Sequence, residues 1–241
     1  MITITDIHKH FEEQEVLHGI DATFEAGKTN LIIGRSGSGK TVLLRCIVGL
    51  LEPTKGRVLY DGRDIHRLTK HKAALLRQEM GMLFQGAALF DSMDVLHNVL
   101  FPLEMFSPKT PKEQLQRARF CLDRVGLSNA EGKMPSELSG GMQKRVAIAR
   151  AIALEPKYLF CDEPNSGLDP ISSRIIDNLI SDITHEYDIT TIINTHDMAS
   201  VRNIGEQILF IHEGRAEWTG SNTSLSNAGN RHLQVFLDSD R

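Results

Sequence analysis

Two neighbouring carboxylates stand at the end of an apolar segment. In YLFCDEP, residues 158–164, Asp162 and Glu163 follow residues that favour a buried strand, and a proline ends the segment. Adjacent negative charges repel each other, so the pair indicates a metal ion or two separate chemical tasks. A solvated strand end is the alternative for the pair taken alone.

A glycine-rich loop earlier in the chain supplies a reason for the pair. GRSGSGKT at residues 34–41 fits the pattern G-x-x-x-x-G-K-[ST] and lies between an apolar run at 31–33 and a helical pattern at 42–51. Glycines let backbone N–H groups turn toward an anion, and the following helix directs its positive end at phosphates. A chance Gly/Ser-rich loop is the alternative, and the flanking strand and helix argue against it.

The two motifs together predict a P-loop nucleoside triphosphatase. Lys40 should bridge the β- and γ-phosphates, and the Thr41 hydroxyl should ligate Mg²⁺. Asp162 suits the metal, whereas Glu163 suits the base that activates the attacking water. The loop residues expected to contact nucleotide are Gly34, Arg35, Ser36, Gly37, Ser38, Gly39, Lys40 and Thr41.

A second helix start carries a pair of glycines. In LSGGMQ at 138–143, Ser139 caps a helix that begins with Gly140 and Gly141, which leaves N–H groups accessible at its positive end. Because the 34–41 loop already serves the chain's own triphosphate, this terminus predicts contact with a nucleotide held by another molecule. An ordinary N-cap is the alternative, although each glycine there costs about 1 kcal/mol of helix stability. Lys144 and Arg145 are expected on a solvated face of the same helix.

The elements that position these residues alternate between strands and helices. Strand patterns occur at 2–7, 31–33, 56–62, 81–85, 158–163 and 190–196, and a hairpin is predicted about Glu213-Gly214. A capping box with a proline predicts a helix from Thr110 to a stop at Gly126, and a second helix should run from Ser139 to Pro156. The apolar cluster at 233–237 predicts a docking helix. This alternation predicts an α/β core with a mostly parallel sheet.

Composition excludes several classes of protein. The chain has 241 residues, a net charge of −4 and a pI of about 6.2, which argues against a protein that coats nucleic acid. Its three cysteines are widely separated, which argues against disulfides or a cysteine zinc site. No apolar run reaches the roughly 18–20 residues of a spanning helix, and the first residues are not a secretory signal. Any work at a membrane is therefore expected to be done from the cytoplasmic side through a partner.

Six short blocks occur in the order found in one family of ATPases. They are GRSGSGKT, Gln85 after GMLF, LSGGMQ, LFCDEP, SGLD at 166–169 and His196 within NTHD. With these blocks the sequence resembles the ATP-binding cassette (ABC) ATPases over nearly its whole length. The resemblance implies one ABC ATPase domain over 1–241, with a P-loop NTPase core, an N-terminal antiparallel β portion and a helical subdomain inserted at about 86–155.

The same resemblance implies a shared active site. Two copies of the chain should sandwich two ATP molecules head to tail, each held by one 34–41 loop and by the other copy's Ser139, Gly140 and Gly141. Asp169 would connect the two sites across the dimer. Thr41, Gln85 and Asp162 would hold Mg²⁺, with Gln85 also contacting ATP and linking the metal and attacking water to the transport partner.

Two further site residues come from the resemblance. His196 would contact the γ-phosphate and, with Glu163 and Lys40, complete the catalytic set. Phe11 stands where the family has an aromatic ring that stacks on adenine. A structural histidine and a core phenylalanine are the respective alternatives.

The subfamily rests on two strings. FQGAALFDSM at 84–93 and NSGLDP at 165–170 look like the ATPases of the phospholipid-trafficking (Mla/Mce-associated) branch, which work with a separate permease and an Mce-domain protein. The expected protein is thus a peripheral subunit at the cytoplasmic face of the inner membrane. The alternatives are the ATPase of a polar amino-acid importer or lipoprotein-releasing system, and a regulatory ABC ATPase outside transport. A metabolic kinase would leave LSGGMQ unexplained.

Overall fold

The computed structural model describes residues 1–12 and 14–238 and contains two sheets. The strands are β1 (Ile2–Phe11), β2 (Gln14–Phe24), β3 (Thr29–Ile33), β4 (Lys55–Tyr60), β5 (Arg63–Asp64), β6 (Met80–Leu83), β7 (Tyr158–Asp162), β8 (Thr190–Thr195), β9 (Gln207–His212) and β10 (Arg215–Gly220). The α-helices are α1 (Lys40–Ile47), α2 (Lys70–Gln78), α3 (Val95–Phe106), α4 (Pro111–Arg124), α5 (Gly140–Ala151), α6 (Pro170–Glu186), α7 (Met198–Ile204) and α8 (Arg231–Asp238).

The larger sheet has the order β10-β9-β3-β8-β7-β6 and is parallel except for its β9–β10 hairpin. β3 and β8 are buried along their whole lengths, as expected for parallel strands covered on both faces. The carboxyl ends of β3, β7 and β8 lie side by side, because Ile33 of β3 pairs with Thr195 of β8 and Asp162 of β7 pairs with Asn194 of β8. The loops that follow these strands therefore begin at the same edge of the sheet, which is where open α/β sheets bind ligands.

The smaller sheet is antiparallel and has the order β2-β1-β4-β5. The strand predicted at 2–7 is longer than expected and pairs with β2, which the sequence patterns did not predict. The predicted Asp-Gly turn at 61–62 is confirmed, since Asp61 and Gly62 have φ of 46° and 82° and join β4 to β5.

Side chains of the parallel strands alternate between two apolar cores. Leu31, Leu159 and Ile193 face one cluster, which continues into α3, α4 and α5. Ile32 and Phe160 face the other cluster, which joins α1 to the antiparallel sheet. Helices α3 to α8 thus pack on one face of the parallel sheet, whereas α1, α2 and the antiparallel sheet pack on the other.

The 84–157 interval joins β6 to β7 through α3, α4 and α5. The capping box at Thr110 is confirmed by reciprocal hydrogen bonds with Glu113, and Gly126 follows the helix with φ of 68°. The helix predicted from Ser139 begins where expected but ends at Ala151, not at Pro156. That residues 86–155 form an inserted helical subdomain stays a prediction.

The predicted hairpin and last helix are both present. Glu213 and Gly214 form the β9–β10 turn with φ of 45° and 72°. In α8, Leu233 and Phe236 are buried, whereas Val235 is 49% exposed, so only part of the predicted cluster docks. Residues 239–241 of the predicted C-terminal segment lie outside the described residues. Within the described residues, no helix combines the length and apolar character that a membrane span requires.

Candidate nucleotide site

The 34–41 loop forms a backbone cradle that side chains would obstruct. Gly34 and Gly39 have φ of 152° and 103°, and a Cβ at Gly34 would lie 2.2 Å from the Ile211 carbonyl oxygen. α1 begins directly after Gly39, which offers no capping side chain. The first N–H groups of this helix are consequently free to bind an anion.

Lys40 folds over the cradle. Its ammonium donates to the carbonyl oxygens of Gly34 at 2.8 Å and Arg35 at 3.1 Å, and the residue is only 6% exposed. Burial lowers the pKa of Lys40, while the charges of Glu163 and Asp162 act in the opposite direction. The lysine is thus a partly desolvated cation, whose attraction to a phosphate is stronger than it would be in water.

The Ser38 hydroxyl adds a second sign of an anion site. Its oxygen is buried and has no hydrogen-bond partner in the described part of the chain. Buried polar atoms are normally paired, so this donor fits a ligand oxygen.

The two carboxylates diverge at the end of β7. Asp162 accepts a hydrogen bond from the Asn194 amide at 3.1 Å, whereas Glu163 lies 2.8 Å from Nδ1 of His196. Glu163 has φ of 49°, a left-handed conformation that is costly for a residue other than glycine. Its side chain is 15% exposed and that of His196 is 65% exposed. The backbone turn thus directs one acid toward the sheet and the other toward an accessible histidine.

Gln85 follows β6 and is held from two sides. Its amide donates to the Ser166 hydroxyl at 3.2 Å, and its backbone carbonyl accepts a hydrogen bond from Lys144. The prediction that Lys144 is solvated is wrong: the residue is 5% exposed, and burial lowers its pKa. α5 packs between the other helices and the parallel sheet, so this position cannot reach solvent. Arg145 is partly buried as well and donates to the Val125 carbonyl.

A cavity of about 610 Å³ collects most of the predicted residues. From the predicted set it is lined by Arg35, Ser36, Gly37, Gly39, Lys40, Thr41, Gln85, Glu163 and His196. Val16 and Phe236 also line it, and no motif pointed to them because they come from β2 and α8. One cavity is therefore lined by the loops that follow four parallel strands, β3, β6, β7 and β8, and by residues of β2 and α8.

Phe11 is not among the residues that line this cavity. Its ring is 42% exposed, with Nζ of Lys9 5.1 Å from the ring centroid. The alternative that Phe11 is a core residue is therefore wrong, and adenine stacking stays a prediction.

Thr41, Gln85 and Asp162 offer a hydroxyl, an amide and a carboxylate oxygen. These hard oxygen donors are the type that Mg²⁺ prefers. The Asn194 amide oxygen beside Asp162 is buried and has no partner in the described residues. The donor set therefore fits a hydrated divalent cation.

The residues predicted to act on another molecule's nucleotide form a separate surface. Ser139 caps α5 by accepting from the Met142 N–H at 3.3 Å, and Asp169 caps α6 by accepting from Ile171 and Ser172 N–H groups at 3.0 Å. The pKa of Asp169 is lowered chiefly by its hydrogen bond from the Ser172 hydroxyl.

These two helix ends are neighbours. A Cβ at Gly141 would lie 3.5 Å from Ser172, and one at Gly140 would lie 3.4 Å from Leu168. Ser139, Gly140 and Asp169 are exposed, and neither helix end lines the 610 Å³ cavity.

A buried polar network supports the segment between Glu163 and Asp169. The Asn165 amide donates to Asp177 at 2.8 Å and to the Ser200 hydroxyl at 2.9 Å. Burial raises the pKa of Asp177 to about 6. No sequence motif indicates this network, because Asn165 lies in the loop after β7, whereas Asp177 and Ser200 lie on α6 and α7.

Comparison with known proteins places the chain among transport ATPases. The family described as ABC transporter matches residues 17–166. The glutamine transport ATP-binding protein GlnQ of Escherichia coli is 40% identical over 240 residues, covering 98% of both chains. The methionine import ATP-binding protein MetN of Clostridium acetobutylicum is 39% identical over 226 residues, covering 93% of this chain and 70% of MetN. The dimeric ATP-binding cassette MJ0796, bound to ADP and Pi after hydrolysis, has a TM-score of 0.83 at 30% identity and covers 92% of this chain and 99% of its own.

Proposed function

This chain belongs to the ABC transporter family, and from that premise we propose that it hydrolyses ATP as a homodimer in which each copy completes the other's site. As a family member it is the ATPase subunit of an ABC transporter with the ABC ATPase fold. ABC ATPases form dimers and pair with membrane permease subunits.

The separation between the cavity and the α5 tip carries the proposal. The loop at 34–41, a carboxylate and a histidine line one cavity, and the exposed start of α5, capped by Ser139, lies outside that cavity. A second copy turned head to tail would bring Ser139, Gly140 and Gly141 against nucleotide held by the 34–41 loop. Asp169, next to that tip, would then lie at the boundary between the two copies.

Within each composite site the residues have distinct tasks. Lys40 and the loop N–H groups bind the phosphates, and Glu163 accepts a proton from the attacking water. His196, 2.8 Å from Glu163, orients that carboxylate and reaches the γ-phosphate. Thr41, Gln85 and Asp162 would hold Mg²⁺, which supplies positive charge against the phosphate oxygens.

ATP drives closure because the triphosphate contacts the second copy only in the closed dimer. A ligand shifts an equilibrium only by its different affinity for the two states. Cleavage of the γ-phosphate removes that bridge, and the dimer opens.

The permease is expected to dock on the surface around residues 85–106. Phe90, Met105 and Phe106 expose 40–59% of their area there. Arg150 holds the preceding turn by donating to the Ala87 and Ala88 carbonyl oxygens at 2.9 and 2.8 Å. Exposed apolar side chains of this kind suit contact with a short helix from a membrane protein.

For the cargo we propose phospholipid, moved through a separate permease with an Mce-domain partner at the cytoplasmic face of the inner membrane. The two strings at 84–93 and 165–170 support this branch. A polar amino-acid importer is the second candidate, because the glutamine and methionine transport proteins are 40% and 39% identical.

Mixing two inactive variants tests the composite site. Lys40→Ala damages one cradle, and Ser139→Arg blocks one helix tip; each alone should lack ATPase activity. A mixed dimer contains one intact loop and one intact tip facing each other, so the mixture should regain activity. Ser136→Arg, at an exposed serine nearby, is the control and should remain active. A mixture that stays inactive, although mixed dimers form, would contradict the shared site.

Co-purification in detergent tests the cargo. The permease that binds this chain is reconstituted in vesicles, and ATPase stimulation is compared between added phospholipid and added glutamine or methionine. Stimulation by lipid, with an Mce-domain protein in the complex, supports the first candidate. Stimulation by the amino acid alone assigns the importer.

A further inference from the structure

Two histidines and a glutamate from three elements converge away from the nucleotide cavity. His212 is the last residue of β9, Glu217 lies in β10 and His232 is the second residue of α8. One ligand atom from each side chain lies within 4.8 Å of the others. No sequence motif contains these three residues, because they are separated in sequence and follow no ligand spacing.

The local backbone brings the three side chains close to one another. Residues 215, 216 and 218 pair with residues 212, 211 and 210, which leaves Glu217 as the extra residue of a β-bulge. Bulges re-aim side chains. Asn230 fixes the start of α8 by donating to the Glu217 carbonyl at 3.1 Å and accepting from the Leu233 N–H at 2.8 Å.

A simple ion pair accounts for only part of this geometry. Nδ1 of His232 lies 2.6 Å from the Glu217 carboxylate. His212, however, stacks on His232 with ring centroids 4.2 Å apart, and its nearest carboxylate contact is Glu213 at 3.9 Å. The second imidazole therefore adds a nitrogen donor that the ion pair does not need.

The donor set is that of a transition metal. Two imidazoles and one carboxylate bind Zn²⁺ at about 2.0–2.2 Å, with water in the fourth position. Tetrahedral ligands at that length lie roughly 3.3–3.5 Å apart, so the three ligand atoms, which lie within 4.8 Å of one another, would draw closer on binding. Mg²⁺ prefers oxygen donors, so the two sites would select different cations.

We propose that His212, Glu217 and His232 bind a divalent transition metal, best suited to Zn²⁺, that fastens α8 to the β9–β10 hairpin. The consequence reaches the nucleotide cavity. Phe236 lies one turn after His232, packs 5.5 Å from Phe210 and lines the cavity beside the 34–41 loop. Metal binding would thus suppress local opening of α8 at the edge of the nucleotide site.

Calorimetric titration with Zn²⁺ alone tests the proposal on the purified full chain. His212→Gln and His232→Gln should each weaken binding by roughly 10–100-fold or more, the scale seen even for outer-shell changes. His10→Gln is the control, because His10 belongs to a different group of histidines around Glu15 and should leave this binding unchanged. Zn²⁺ should also slow hydrogen exchange in 231–238, and His212→Gln should abolish that protection although residue 212 lies outside α8.

Three results would overturn the proposal. The parent chain could fail to bind Zn²⁺. Binding could survive both substitutions at 212 and 232 or be lost with His10→Gln. Zn²⁺ could bind without slowing exchange in α8.

Discussion

Replacing Asp177 by asparagine should stabilise the protein at neutral and alkaline pH. The residue is 3% exposed and receives hydrogen bonds from Asn165 and Ser200, yet burial dominates and raises its pKa from an ordinary 3.8 to about 6. The folded state therefore disfavours the charged form. Raising a carboxyl pKa to this extent corresponds to about 3 kcal/mol at 1.36 kcal/mol per pKa unit, which is the upper bound of the gain.

The structure also explains why asparagine fits this position. The Asn165 amide oxygen is buried and lacks a partner in the described residues. The new amide at 177 can donate to that oxygen while its own oxygen still accepts from the Asn165 amide. The exchange thus removes a buried charge and gives the unpaired Asn165 oxygen a donor.

Urea unfolding at several pH values measures the effect. Because the folded pKa is raised, the neutral carboxyl favours folding below pH 3.8, and this advantage disappears as pH rises through about 6. Asp177→Asn should be more stable than the parent by up to about 3 kcal/mol at pH 8, and the difference should approach zero near pH 4. Asp182→Asn, at an exposed position on the same helix, should change little at any pH. A variant no more stable than the parent at pH 8, or a gain that persists at pH 4, would refute this reasoning.

Glu163→Gln should lower ATP turnover by about 10²–10⁴-fold while leaving nucleotide binding intact, and full turnover in a steady-state assay would remove Glu163 from the role of base. Asn98→Ala should destabilise the fold by at least about 2 kcal/mol, because the buried amide makes four hydrogen bonds to the 90–94 segment. The exposed Asn178→Ala is its control in chemical unfolding. Gly34→Ala should destabilise far more than Gly37→Ala, since a Cβ at 34 would collide with a β9 carbonyl and one at 37 meets nothing within 4 Å. Equal thermal midpoints for the two alanine variants would contradict that account.

The parallel core was predictable because its signals are local. Apolar runs followed by glycines or acids mark strand ends, and parallel strands bring those ends together. This is why Lys40, Gln85, Glu163 and His196, far apart in sequence, line one cavity.

β2 escaped prediction for a physical reason. Its sequence QEVLHGIDATF is interrupted by Gly19, which has φ of 75°, and its pairing with β1 shifts register three times. Only three of its residues are buried, so its sequence shows no regular alternation of apolar and polar residues. α2 was missed similarly, because only Ala73 and Leu76 are buried.

Contacts between elements far apart in the chain could not be predicted from the sequence. Nothing near Lys144 in sequence shows that its helix lies between other helices and a sheet, so the local pattern favours a solvated position. The contact between Glu163 and His196 likewise depends on β7 and β8 being neighbours. Tertiary packing decides such positions, and a single sequence contains no direct record of it.

The hydrogen bond from Lys144 to the Gln85 carbonyl has a kinetic consequence for the proposed dimer. Lys144 lies on the helix whose first turn is offered to the other copy, and Gln85 lies beside the chain's own nucleotide. If that helix shifts on engaging one ATP, we expect this hydrogen bond to move the loop next to the other ATP. ATP hydrolysis should therefore follow a sigmoidal dependence on ATP concentration, with a Hill coefficient above about 1 and no greater than about 2, the number of sites.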